Sequence, residues 1–411
     1  MAITLVALAA LAATSAFAQS SVTAYGVLDV AYKNYSLEQA DGKTAIKSQG
    51  VSDGTNAGPR VGFKGVEDLG NGRNANFVAE FGITVADPAG ISNRTGAEGA
   101  QVYGLSNSGN MPVGAYSAGS NTRQAYVAVG DSKLGELRAG YQYTELYNTS
   151  TNTGFFIGQE QPGGALHKIS NGEFGGARAN GLVYVAPKIA GTTTVTYQYG
   201  AGAAREDFQS DLATGQVGYK VNNAKRQSLG ALFEQGPLRI GAAYTTFKQE
   251  QTLGTGDGAS VFGVATAASS MKATSFTSTL TQLNASYDLG FVKPVVQYVN
   301  GSKDLTYVGG ATGTETNGTI GKTVGKYDYK ATTYGFTAPV GAATFFVNTG
   351  KGTISGASGN INEYKQTNYG VRYALSKRTT AYAIYGEETR EINATSKAKN
   401  TEYSVGVRHS F

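Results

Sequence analysis

From Ser21 onward the chain repeats one pattern: segments of about ten residues in which apolar and polar positions alternate, bounded by Gly, Asn, Ser and Thr. A period of two is the period of a strand, whose successive side chains point to opposite faces. The final segment shows it most plainly. Tyr403, Val405, Val407, His409 and Phe411 fall on one face, and Glu402, Ser404, Gly406 and Arg408 on the other. Between Gly135 and Tyr143, Leu137, Ala139, Tyr141 and Tyr143 oppose Glu136, Arg138 and Gln142. Sixteen such strands are expected, at about 21–35, 58–67, 74–85, 121–129, 135–146, 178–186, 192–199, 225–235, 239–249, 274–287, 292–302, 326–337, 343–352, 365–375, 380–389 and 401–411. The expected fold class is all-β.

The connections alternate in length. Seven are short, at 68–73, 130–134, 187–191, 236–238, 288–291, 338–342 and 376–379. Eight are longer, and the longest lie at about 86–120 and 147–177. A soluble sandwich has no reason to sort its loops this way. A barrel in the outer membrane does, because short turns face the periplasm and long loops face outside. An even number of strands lets the first and last pair antiparallel. Closure removes the unpaired edges that hydrocarbon could not satisfy. The expected architecture is therefore a sixteen-stranded antiparallel transmembrane β-barrel. No apolar run of about 18 residues follows the N-terminus, which excludes a membrane-spanning helix there. The first 18 residues differ: Ile3–Ala13 is apolar and is followed by Ala16-Phe17-Ala18, the pattern of a cleaved leader. The absence of Lys and Arg before the apolar stretch departs from the usual leader. Residues 1–18 are read as a signal peptide and 19–411 as one barrel domain in the outer membrane of a Gram-negative cell.

Composition narrows the chemistry. Cysteine is absent, so neither a disulfide framework nor a cysteine metal site is available. Tryptophan is absent too, so aromatic belts at the membrane interfaces must come from the 26 tyrosines and 17 phenylalanines. Tyr141, Tyr143, Tyr327, Tyr329 and Phe411 stand near strand ends and are read as belt residues. The net charge of +5 is spread along the chain rather than clustered, which argues against a nucleic-acid partner. Gly50-Val-Ser-Asp-Gly54 spells G-x-S-x-G, but it is read as a polar loop with no helix after it, so it makes no nucleophile elbow. Gly254-Thr-Gly-Asp-Gly258 lacks the strand-to-helix context of a phosphate cradle. The two histidines, His167 and His409, are far apart in sequence and imply no metal site. No enzyme activity and no cofactor is expected.

Four stretches resemble the betaproteobacterial general porins, the Gram-negative family that includes the neisserial porins. They are Ser20-Ser-Val-Thr-Ala-Tyr-Gly-Val-Leu-Asp29; Arg60-Val-Gly-Phe-Lys-Gly-Val-Glu-Asp-Leu-Gly70; Asn121 to Gly140; and Val405-Gly-Val-Arg-His-Ser-Phe411. They fall in the family's order and span the mature chain. The resemblance implies a passive channel for small hydrophilic solutes, a homotrimer set in outer-membrane lipid, and a third external loop folded into the lumen. That loop is about 148–177 here. It also implies that the barrel-assembly machinery reads the last strand through Phe411, His409, Val407, Val405 and Tyr403. The second loop, at about 86–120, is expected to latch a neighbouring subunit. Arg60, Arg123 and Arg178 match the positions from which the family builds a basic cluster at its constriction.

Alternation selects the lumen side. Val61 and Phe63 are read as lipid-facing, so Arg60 and Lys64 point inward. Val183 and Val185 are read as lipid-facing, so Arg178 and Asn180 point inward. Arg123 is placed inward because an unpaired arginine facing lipid near mid-membrane costs about 2–4 kcal/mol. Glu160 and Glu173 on the third loop are the expected opposing acids. Lys33, Arg138, Lys326, Lys330, Arg372 and Arg408 are further expected lumen cations, with Asp29 and Asp328 as lumen acids. A wall biased positive implies a preference for small anionic solutes. Two other classes compete: a plugged barrel that only displays loops, and a channel specific for one solute.

Overall fold

The computed structural model describes residues 21–38, 45–86, 122–154, 178–202, 219–253, 271–309, 323–356, 361–392 and 396–411. The expected signal peptide, most of the second loop and residues 155–177 of the third lie outside the described residues. Seventeen strands form one antiparallel sheet: β1 (Ser21–Glu38), β2 (Ala45–Asp53), β3 (Arg60–Gly70), β4 (Arg73–Gly82), β5 (Thr122–Asp131), β6 (Gly135–Tyr143), β7 (Arg178–Val185), β8 (Thr193–Gly202), β9 (Tyr219–Gln235), β10 (Leu238–Leu253), β11 (Met271–Tyr287), β12 (Lys293–Gly309), β13 (Thr323–Val340), β14 (Ala343–Ser355), β15 (Ile361–Ala374), β16 (Thr379–Ile392) and β17 (Ser396–Ser410). β2 and β3 share one strand position. β2 pairs with the upper part of β1, from Val30 to Glu38, and β3 with its lower part, from Ser21 to Val27. The barrel thus has sixteen strand positions, and each expected strand corresponds to one of them.

Closure joins the two ends of the chain. β1 pairs with β17 from Val27↔Ser410 to Glu38↔Lys399. Phe411 continues the ladder: its N–H donates to the Gly26 carbonyl, and the Gly26 N–H donates to the Phe411 carbonyl, each at 3.1 Å. The Phe411 ring lies where a side chain on residue 26 would be, 2.4 Å from the position a Cβ there would take. Glycine at 26 is what lets the last residue seat.

Outside and inside invert the pattern of a water-soluble protein. Val127, Val129, Leu137, Leu182, Val405 and Val407 are all exposed on the outer face. Gln198, Gln282, Gln297, Asn284, Thr333 and Asn368 are buried on the inner one. Such an apolar belt is a liability in water and a requirement in hydrocarbon. The outward aromatics include Tyr32, Tyr184, Tyr244, Tyr334, Tyr369 and Tyr403. Tyr369, Tyr385 and Tyr403 pack with tilted rings across three adjacent strands, with ring centroids 5.0 and 4.8 Å apart.

Several expected facings are corrected. Tyr329 is not a belt residue: it is 0 % exposed and packs inside with Leu280, Val299, Ile354 and Tyr364. Tyr327 packs against the same cluster. It follows that Lys326, Asp328 and Lys330, one step away on either side, face outward. Lys326 pairs there with Asp328 at 3.8 Å, both well exposed. β13 has 18 residues, whereas spanning the hydrocarbon takes about 9–11. Its outer end therefore projects beyond the apolar layer, where an outward charge is tolerated. In β7, Leu182 and Tyr184 are exposed and Val183 is buried, so the strand faces opposite to expectation: Asn180 is exposed, and Arg178, the first residue of the strand, shares that face by alternation, with its guanidinium drawn onto Tyr143. Residues 50–53 belong to strand β2 rather than to a loop.

One helix was not anticipated. α1 (Glu145–Asn152) follows β6 directly and lies on the inner wall against β9, β10 and β11. Its Leu146 is fully buried among the inner-wall residues Ala243, Leu280 and Val299. Gln282 donates to the Leu146 carbonyl (2.8 Å) and the Ser150 hydroxyl (2.7 Å), and Gln297 donates to the Ser150 hydroxyl (2.9 Å). Close approach needs glycines beneath: a Cβ on Gly230 would stand 2.8 Å from the Glu145 Cβ, and one on Gly241 3.0 Å from the Thr149 Cβ. The Glu145 carboxyl is buried, accepts from Asn148 (2.9 Å), and is raised above the ordinary carboxylate range chiefly by that burial.

Three outcomes follow. Deleting Phe411 should leave strand β17 short of its last ladder bonds and sharply reduce the yield of SDS-resistant folded barrel. Leu146→Ala should lower the opening free energy of α1, read by amide hydrogen exchange, by about 2–5 kcal/mol. A raised carboxyl pKa means that the docked helix holds its proton more tightly than the released one, so docking weakens as pH rises through the shifted value. That pH dependence, after correction for intrinsic exchange, should vanish in Glu145→Gln.

Candidate functional site: an arginine arc on the inner wall

The pleat of β1 sends Tyr25, Asp29, Ala31 and Lys33 inward. β3 lies beside it with Arg60 opposite Val27 and Lys64 opposite Thr23. The Tyr25 ring crosses Gly62 and brings its hydroxyl to Glu80 of β4, donating at 3.1 Å. Lys64 sits 5.5 Å from the centre of the same ring. Glu80 also accepts from Arg123 Nε at 2.8 Å.

Arg123 reaches the lumen through a bulge. β4 and β5 pair Glu80↔Gln124 and Phe81↔Thr122, so Arg123 has no partner of its own. The exposed Val127 and Val129 show that odd positions of β5 face outward. Strict alternation would put Arg123 in lipid. The extra residue turns its side chain inward, which is what bulges do. Its Nη2 donates to the Tyr143 hydroxyl at 2.7 Å.

Tyr143 joins two arginines to the inner helix. Arg178, its register partner on β7, stacks its guanidinium 4.7 Å over the Tyr143 ring and donates to the same hydroxyl at 3.3 Å. On the other face of Tyr143, Tyr147 of α1 stacks at 4.0 Å, nearly parallel. Arg226 of β9 extends the series. It stacks over Phe247 at 4.4 Å and donates to the Arg178 carbonyl at 2.9 Å.

In the other direction the series continues across β1. Arg408 stands opposite Asp29 on the inner face. Arg372 of β15 stands opposite Tyr382 of β16 and stacks 4.8 Å over Phe346. Five arginines, Arg372, Arg408, Arg60, Arg123 and Arg226, thus follow one another along the inner wall from β15 through β17 and β1 to β9, and Arg178 joins them through Tyr143. The inner acids near them are already engaged. Glu80 holds Arg123 and Tyr25. Asp29 accepts from Tyr382 and from the backbone N–H groups of Asn56 (3.1 Å) and Ala57 (2.6 Å). Glu136 pairs with Arg138, and Glu402 lies 3.9 Å from Lys33. Among the described residues the Nε atoms of Arg178, Arg226, Arg372 and Arg408 find no protein acceptor. The facing wall, β10 to β14, carries the neutral cluster around Tyr329 and helix α1.

The sequence-selected residues thus separate. Arg123 and Arg178 meet through Tyr143, while Arg60 and Lys64 lie beyond Glu80 on β3. Glu160 and Glu173 are outside the described residues. The carboxylate on Arg123 is Glu80, which is not among the acids expected from the sequence. Phe81 beside it is the signal: an aromatic facing lipid turns its neighbour Glu80 inward. Arg226 was missed as well, although the lipid-facing Leu229 fixes its side. His409 stands on the outer face, 2.9 Å from the Thr379 hydroxyl. Among the described residues no group of His, Asp or Glu is arranged to hold a metal ion.

The chain matches known proteins along most of its length. It is 24% identical over 432 residues to an outer membrane porin protein of Bordetella pertussis, covering 99% of each chain. It is 26% identical over 409 residues to the major outer membrane protein P.IB of Neisseria gonorrhoeae, covering 98% of this chain and 97% of that one. Among solved structures it resembles an anion-selective porin from Comamonas acidovorans, with a TM-score of 0.61 and 19% identity, covering 96% of this chain and all of that one. It also resembles OmpT of Vibrio cholerae in a trimer form, with a TM-score of 0.56 and 15% identity, covering 95% of this chain and 99% of that one. These two likenesses speak to the fold. The family model for Gram-negative porins matches residues 4–393. Barrel, relatives and family match agree: the chain belongs to the Gram-negative porins of the outer membrane.

Proposed function

We propose that this porin is a general diffusion channel that favours small hydrophilic anions. The observation that carries the reading is the arginine arc, whose nearby acids are already engaged. Arginine suits the task because it stays charged when partly desolvated, and its planar fork matches carboxylate and phosphate. A positive wall in a narrow, low-dielectric passage raises the local concentration of anions and lowers that of cations.

The narrowest point in this reading lies between the arc and the third loop, about residues 148–177. Helix α1, resting on the inner wall, supports this by starting that loop inside the barrel. Arg60, Arg123 and Arg178 are the proposed constriction cations, with Lys64 at their flank and Glu160 and Glu173 as acids on the loop. Solutes pass without chemical change: the relatives are channels, and no cofactor is called for. A homotrimer is proposed by analogy with the resembling protein described in trimer form. The seating of Phe411 on Gly26 supports a role for the last strand, from Tyr403 to Phe411, in recognition by the assembly machinery. Residues 1–18 are proposed to be removed on export.

The test is a planar bilayer with a KCl gradient. Wild type should show stepwise conductance and a reversal potential of the sign set by chloride. Arg123→Ala should reduce the anion-to-cation permeability ratio by roughly two-fold or more. Glu80→Gln should raise it, because a lumen carboxylate is removed while the arginine remains. A cation-selective wild type, or an Arg123→Ala channel with unchanged selectivity, would refute the proposal.

A further inference from the structure

Between β2 and β3 the strand position is interrupted by residues 54–59, and these fold onto the inner wall. Gly54 donates its N–H to the Asp29 carbonyl at 2.8 Å. Thr55 is fully buried, with its N–H 3.4 Å from the Tyr382 hydroxyl and its own hydroxyl 3.4 Å from Glu402. Asn56 and Ala57 both donate their N–H groups to one oxygen of Asp29, and Tyr382 donates to the other. Asn56, Ala57 and Gly58 remain partly exposed. Two features tie the segment to the arc. A Cβ on Gly58 would lie 3.3 Å from an Arg123 guanidinium nitrogen. Arg60 follows directly at the head of β3.

We infer that residues 54–59 form a second narrowing element of the pore, and that Asp29 is a positioning residue that holds Arg60 and Arg123 in place through it. The inference rests on the channel reading above. A carboxylate receiving two backbone N–H groups and a phenol is a strong and directional anchor. A plain lumen charge would face water, whereas Asp29 is wholly withdrawn from it. The turn itself depends on Gly54, since a Cβ there would stand 2.1 Å from the Ala57 carbonyl oxygen. This gives the second glycine of the G-x-S-x-G string a structural reason unrelated to catalysis.

Two variants separate anchoring from charge. Asp29→Asn removes a negative charge from a basic wall, which by electrostatics alone would raise anion preference. Loss of anchoring predicts the reverse: a lower permeability ratio and an altered single-channel conductance. Gly54→Ala disturbs the turn and leaves every charge in place, and it should shift both quantities in the same direction as Asp29→Asn. Only protein that resists SDS unfolding at room temperature is recorded. In a chain without cysteine, Ala57→Cys adds one thiol that reports on the segment without breaking its anchors. A negatively charged methanethiosulfonate reagent should change the current of Ala57→Cys and leave that of Ser376→Cys, on a short turn, unchanged. Higher anion preference in Asp29→Asn with unaltered conductance would overturn the inference, as would an Ala57→Cys channel indifferent to the reagent. A wild type without anion preference would instead overturn the selectivity reading; the narrowing element would then stand or fall on conductance and thiol access alone.

Discussion

Every backbone N–H and C=O that crosses hydrocarbon must find its partner inside the protein, and the rest of this structure answers to that demand. The β1–β17 ladder closes the sheet, and Phe411 completes it by exchanging hydrogen bonds with Gly26. Once closed, each strand has one face in lipid and one in the lumen. Charges in the spanning part have only the lumen to occupy. The concentration of arginines on the inner wall is thus partly a consequence of the fold. What the fold does not dictate is their sign and their sparse pairing, and those are the features that bear on transport.

The inner wall is built by short-range devices. A bulge turns Arg123 inward, a tyrosine ring gathers Arg123, Arg178 and Tyr147, and glycines at 230 and 241 let a helix lie flat on strands. Asp29 spends its capacity on the backbone of residues 56 and 57 rather than on an arginine. Glu80 instead pairs directly with Arg123 and is also held by Tyr25, as Glu136 pairs with Arg138.

Much of this could be read from the sequence because a period of two against lipid is a strong signal. All sixteen strand positions were marked by it, and the short turns between them set the direction of the barrel. The failures have local causes. β2 was passed over because Ala-Ile-Lys-Ser-Gln-Gly-Val-Ser-Asp carries too few apolar residues to alternate visibly, and it shares its position with β3. β7 was reversed because Leu182, Val183, Tyr184 and Val185 are apolar on both faces, so alternation cannot choose between them. Reading Tyr327 and Tyr329 as belt residues turns Lys326 and Lys330 inward, and this fails because the strand rises above the apolar layer, where tyrosines can face in and charges out. α1 was invisible because its Ser and Thr residues favour helix poorly. Its Thr149, Ser150 and Thr153 hydroxyls bond back to carbonyls three and four residues earlier, and the wall supplies the rest. Of the site, the arginines were legible by residue type and position. Their partners were not, since Glu80, Tyr143 and the segment 54–59 come together only through register, a bulge and a strand break.

The central claim is that the arginine arc makes a water-filled passage kinder to anions than to cations. The most direct measurement is the influx of size-matched solutes into vesicles carrying the purified barrel: a small carboxylate, its neutral amide and an ammonium analogue. Entry should be fastest for the carboxylate, slower for the amide and slowest for the ammonium analogue. Faster entry of the ammonium analogue, or no entry of any of the three through folded barrel, would contradict it.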